Sequence, residues 1–287
     1  MPKFHERTNK KINDFEVSVY EVDNKDAGEQ LKLEEYLTSK IKNIKIYNDL
    51  DKYADLLNVP NIDAAFAEKL KASIKEICDP KKHPIQAFDI RRSFVTEFLS
   101  QLLLERNYSC VFYEEADKKI NVDPVLIEKH SAGIDVTGIQ RDTDAMKFVV
   151  CEVKASNSKI PCTESEPLLN DIKKAYELEN KRLTREILSY CRKLNDTDDD
   201  MLTGVVEFLV NILAKKDDKE FVLDNIIFFP FLIRQNADIV TNSDVSDYNV
   251  FGEEKFNGSA IKGIIWSFNN DINTFCQNIW SKALADA

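Results

Sequence analysis

The 287-residue chain is poor in metal-ligating pairs. It has three histidines (His5, His83 and His130) and six cysteines (Cys78, Cys110, Cys151, Cys162, Cys191 and Cys276), with no CxxC pair among them. Scattered single thiols argue against a zinc site and fit reduced cysteines, several of them buried as small hydrophobes. No apolar run approaches the roughly 20 residues needed to span a bilayer. The opening MPKFHERTNKK leads into polar NDFE where a secretory signal would place its apolar core. No GxxxxGK[ST] loop occurs, so any ATP-driven motor must lie on another polypeptide. Basic charge is also short, with 39 Lys and Arg against 50 Asp and Glu for a net charge of −11. A protein that grips nucleic acid unaided carries a basic face, because phosphate neutralisation supplies most of the affinity. An acidic chain that works on nucleic acid is therefore expected to rely on a partner for delivery.

What is present is enough apolar sequence, 43% of residues, for a substantial core. A charged leader precedes a strand pattern at 15–22 (FEVSVYEV), and helical patterns follow at 28–42 and 62–78. CDPKKHP (78–84) is turn-rich and marks the expected boundary between an N-terminal accessory region, 1–84, and a main domain, 85–287. Residues 85–107 space Phe94, Val95, Phe98, Leu99, Leu102 and Leu103 as one helix face. Strands are expected at 108–115, 134–139 and 147–155, the last two joined by a QRDTDAM loop. One long helix or two should fill 164–194, another helix 201–216, and a buried strand 225–235. A strand at 260–268 and an amphipathic helix at 271–285 close the chain. The order is that of an α/β fold with a mixed central sheet flanked by helices.

Three charged residues sit inside the β-branched stretches: Asp135 in GIDVTG, and Glu152 and Lys154 in FVVCEVKAS. Buried charges are costly unless paired or metal-bound. The acid-x-Lys pattern alone says little, since it also begins at Asp23, Asp79, Asp117, Asp171, Glu179, Asp217 and Glu253, in apparent loops and exposed helix faces. The hydrophobic framing separates Glu152 and Lys154 from these. Alternation puts both side chains on one face of a strand, with Val153 on the other, and a neighbouring strand can bring Asp135 beside Glu152. Two carboxylates suit Mg²⁺, and a lysine aimed at the same point can orient water or stabilise a transition state. The competing explanation is an exposed edge strand with a cross-strand salt bridge.

These residues resemble the motif of the PD-(D/E)XK, or restriction-endonuclease-like, nuclease superfamily, with Ile134 where the motif's proline usually stands. The order helix, three strands, helix, strand is similar to that family's αβββαβ core. The resemblance implies a Mg²⁺- or Mn²⁺-dependent nuclease hydrolysing DNA phosphodiester bonds. Asp135 and Glu152 would ligate the metal together with the Val153 carbonyl, and Lys154 would position the attacking water. SFVTEFLSQLLLERNYSCVFY (93–113) is similar to the leading helix and first strand of the Mrr-like and Holliday-junction-resolvase branches, and that resemblance implies Glu97 as an added metal ligand. A solvated helix glutamate is the alternative.

With HSAGIDVTG (130–138) and the long helices after CEVKAS, the chain looks most like the nuclease subunits of Hachiman anti-phage defence systems. That likeness implies a prokaryotic, cytoplasmic effector held inactive by a helicase partner and released onto DNA. Two rivals are a catalytically inactive nuclease-fold adaptor and a stand-alone restriction or junction-resolving endonuclease. His130 could touch a phosphate or simply pack locally. Lys173, Lys174, Lys181, Arg182 and Arg185 could border a DNA path or form a solvated face laced with Glu177 and Glu179. Ser156 and Gln140 are candidate neighbours of the site. Phe228, Phe229, Phe231, Trp266 and Trp280 read as core or partner interface.

Overall fold

The computed structural model describes residues 3–12, 15–22, 27–44, 63–77, 88–121, 133–142, 145–157, 165–177, 181–197, 202–235, 261–268 and 271–285. Seven strands form one mixed sheet: β1 Phe4–Ile12, β2 Phe15–Val22, β3 Cys110–Val111, β4 Val136–Asp142, β5 Ala145–Ser156, β6 Ile226–Gln235 and β7 Lys262–Phe268. Their order across the sheet is β1-β2-β7-β6-β5-β4-β3. The strands β2, β7, β6 and β5 run parallel, while β1 and the β4–β3 pair are antiparallel to their neighbours. Eight helices are described: α1 Ala27–Lys42, α2 Ala64–Ile77, α3 Phe88–Asn107, α4 Ser165–Tyr176, α5 Arg182–Asn195, α6 Thr203–Ala214, α7 Lys219–Asp224 and α8 Ile272–Ala285.

The period-2 alternation of β5 explains why helices cover both faces. Val149, Cys151, Val153 and Ala155 enter a core shared with α1, α3 and α8, whereas Phe148 and Val150 enter a second core under α4, α5 and α6. β6 is buried from Ile226 to Arg234, as expected for a parallel strand covered on both sides. Pro230 interrupts that run with no N–H to donate. It sits where the β6–β7 ladder is broken, between the Phe228–Ile261 bridge and the continuous pairing that starts at Phe231 and Ile264.

Several expectations change. The strand over 108–115 shrinks to Cys110–Val111, because Tyr113 begins a series of turns running to Asn121. The QRDTDAM loop is mostly strand: Gln140 pairs with Lys147 and Asp142 with Ala145. The charged leader is strand β1. Residues 164–194 form two helices, α4 and α5. The expected boundary at 78–84, with His83, lies outside the described residues, as does His130. β1 and β2 extend the same sheet as the main strands, and Leu33, Leu37 and Ile41 of α1 share the first core. The four described cysteines, Cys110, Cys151, Cys191 and Cys276, are free and buried. Among the described residues, no helix is long and apolar enough to cross a membrane.

Candidate active site

The antiparallel register of β4 and β5 sets Val136 opposite Cys151, so the next step outward places Asp135 against Glu152. Asp135 Oδ2 accepts a hydrogen bond from the Val153 N–H at 2.8 Å. Its carboxylate lies close enough to that of Glu152 for its charge to act on it. Glu152 is 2% exposed. Burial, then the nearby Asp135 charge, hold its pKa well above the usual carboxylate range, against the opposing pull of Arg182.

Arg182, in the first turn of α5, donates to Glu152 Oε1 at 2.7 Å and also to the Gly133 carbonyl. One guanidinium thus ties the segment that carries Asp135 to the strand that carries Glu152. Gly133 has φ 140°, a conformation that L side chains rarely adopt, and a Cβ there would collide with the Glu186 and Lys118 side chains, which pair with each other.

Lys154 projects on the Glu152 face, two residues on. Its ammonium pairs with Asp171 of α4 at 3.0 Å. Burial opposes its charge, but the Asp171 hydrogen bond and the charges of Asp135, Asp171 and Glu152 outweigh this and raise its pKa. Asp171 is itself held below the usual range, since hydrogen bonds from Lys174 and Lys154 exceed the cost of its burial.

Glu97 is buried and lies across a cleft of about 220 Å³ that Asp89, Arg92, Asp135, Val153 and Lys154 also line. It is not the solvated helix glutamate of the alternative reading. Lys119 pairs with its Oε1 at 3.0 Å, Ser93 donates to the same oxygen, and Oε2 is buried with no hydrogen-bond partner. Burial pushes the Glu97 carboxyl up to about 7, with Lys119 lowering it and Asp135 raising it. Among the described residues, no group of three or more His, Cys, Asp or Glu side chains is arranged to hold a metal by itself.

Sequence reasoning passed over two residues of this neighbourhood. Lys119 and Asp171 belong to acid-x-Lys matches set aside as loop and exposed helix face. Yet Lys119 is 9% exposed and pairs with Glu97, and Asp171 holds Lys154. The signal that could have found Asp171 is helical spacing: it adjoins Leu168 and Ile172, which face the second core. Of the other candidates, Lys174 is engaged with Asp171, Ser156 is buried near Arg234, and Gln140 donates to the Tyr108 carbonyl away from the carboxylates. Phe228, Phe229, Phe231, Trp266 and Trp280 are all core. No family model matches the chain, and no curated protein or solved structure does so either.

Proposed function

We propose that the chain is a metal-dependent nuclease that hydrolyses DNA phosphodiester bonds, with the helix–three strands–helix–strand segment from α3 to β6 as a restriction-endonuclease-like core. One observation carries the reading. The β4–β5 register sets Asp135 beside Glu152, with Lys154 on the same strand face, and Asp135 and Lys154 line a cleft that Glu152 does not.

The donor types are those that Mg²⁺ or Mn²⁺ takes, although the carboxylates among the described residues do not form a ready-made three-ligand cluster. Asp135, Glu152 and Glu97 offer hard carboxylate oxygens, and the orphaned, buried Oε2 of Glu97 is a polar atom that lacks a partner beside the same cleft. Asp135, Glu152, the Val153 carbonyl and Glu97 would hold the ion. When bound, the ion lowers the pKa of a water and offsets charge on a phosphate oxygen. The chain's own groups supply the rest. Arg182 and the Val153 N–H each fix one carboxylate oxygen, which would leave the other oxygen of each side chain available to a metal. Lys154 orients the attacking water and steadies negative charge developing at the phosphorus-bound oxygens.

Delivery to DNA by a helicase subunit of a prokaryotic defence system is a further element that rests on the resemblance of HSAGIDVTG (130–138) and CEVKAS, and the net charge of −11 is compatible with it. A catalytically silent adaptor is the second reading, favoured by the internal ion pairs that occupy Glu97, Glu152 and Lys154.

The test is cleavage of duplex and single-stranded DNA by the purified protein in Mg²⁺ or Mn²⁺. Cutting should be lost in Glu152→Ala/Lys154→Ala. Undiminished degradation by that double variant would refute the assignment. No metal binding by a folded wild type would favour the adaptor. Co-purification of a stoichiometric helicase from native cells tests the partner.

A further inference from the structure

Glu152 and Lys154 are neighbours on one strand face, opposite in charge and both partly or fully buried. Each is a candidate counter-ion for the other, and their charges interact. A direct pair would neutralise the metal-binding carboxylate and withdraw the ammonium from the cleft. Neither residue takes that option. Glu152 is paired with Arg182 of α5 at 2.7 Å, and Lys154 with Asp171 of α4 at 3.0 Å. Two helices that lie over the second face thus supply one partner to each charge, and they draw the two side-chain ends onto separate bearings.

The geometry points to Asp171 as a positioning residue for Lys154, an assignment that rests on the nuclease reading above. Asp171 reaches the cleft only through the lysine, since it does not line the cleft itself. Its two carboxylate oxygens are divided: Oδ2 takes Lys154, and Oδ1 takes Lys174 one turn further along α4 at 2.9 Å. A carboxylate anchored from both sides has little rotational freedom, so it sets the ammonium's direction as well as its charge. Without it, Lys154 can turn to Glu152 two residues back and close the site on itself.

The experiment compares Asp171→Asn and Asp171→Glu in the full chain, with and without Lys154→Ala. Asp171→Asn should lower kcat about 10- to 100-fold, the range expected when a catalytic group is displaced by about an ångström, with KM for DNA little changed. Asp171→Glu should restore most of the rate. In the Lys154→Ala background Asp171→Asn should change the rate by less than about twofold, because the role acts through the lysine.

A second readout needs no turnover. The ¹H–¹⁵N signal of the Lys154 ammonium, kept from rapid exchange by its ion pair, should be visible in the wild type and Asp171→Glu and lost in Asp171→Asn. A kcat for Asp171→Asn equal to wild type, an equal loss with Lys154 already removed, or an unaltered ammonium signal would overturn this inference alone. Should Asp171→Asn fail to fold, Asp171→Glu carries the test, and a retained signal with the rate lost, or a lost signal with the rate retained, would overturn the inference. Full cleavage by Lys154→Ala would overturn the nuclease reading and this inference together.

Discussion

At the scale of single residues, the chemistry is governed by which carboxylates keep a proton. Glu97 has an ordinary value of 4.5 and is pushed up to about 7 in the fold. A carboxyl group whose folded pKa lies above its unfolded one binds the proton more tightly in the folded state. Its support for folding is therefore fully present below about 4.5 and is withdrawn as pH rises through about 7. Between pH 5 and pH 8, the stability difference between Glu97→Gln and wild type should move toward the variant, by about 3 kcal/mol at most. Denaturant unfolding of the metal-free proteins at the two pH values measures this, and a difference independent of pH would contradict it. Glu152, raised for the same reason and by the Asp135 charge, predicts a second effect: metal binding must displace a proton, so affinity for Mg²⁺ or Mn²⁺ should rise with pH. Calorimetry in buffers of different ionisation enthalpy reads the released proton directly.

At the scale of elements, the strand alternation that places Glu152 and Lys154 together was legible, because β5 is framed by Phe148, Val149, Val150 and Cys151. The facing of Asp135 followed from the antiparallel partner. What could not be read was the company these residues keep. Glu97 reads in the sequence as either a metal ligand or a solvated glutamate because helix periodicity marks only the apolar stripe, yet Thr96, Glu97, Ser100 and Gln101 are buried too. Their burial comes from the turns after β3, which bring Lys119 and Asp117 against α3, with Gln101 donating to Asp117 at 2.8 Å. A turn series that packs on a helix leaves no periodic trace. The hairpin of β4 and β5 was legible in outline, but its loop read too long because QRD and AM are polar or neutral outer-strand residues.

Gly138 supplies a prediction at this scale. A Cβ there would lie 2.6 Å from the Phe112 ring and 2.8 Å from the Val111 carbonyl oxygen. Backbone cannot yield as a flexible side chain does, so Gly138→Ala should destabilise the β3–β4 edge by about 1–3 kcal/mol. Chemical denaturation of the variant tests it, and an unchanged midpoint would contradict the packing described.

At the scale of the whole molecule, the N-terminal strands β1 and β2 share one sheet with the strands that carry the site. β2 pairs in parallel with β7 over six residues, and Phe4 packs edge-on against Trp266 at 5.1 Å. Removing residues 1–44 would turn β7 into an exposed apolar edge, which invites aggregation. The shortened chain should be insoluble or aggregated by light scattering; a soluble monomer with wild-type cleavage would contradict the integrated sheet. The acidic balance of the chain adds that DNA binding by the isolated protein should be weak, with a partner relieving the loss. The most direct measurement is anomalous diffraction from crystals soaked in Mn²⁺. One peak bridging the Asp135 and Glu152 carboxylates, in the cleft that Lys154 lines, is the predicted result. A fully occupied Mn²⁺ elsewhere with none at that pair would contradict it.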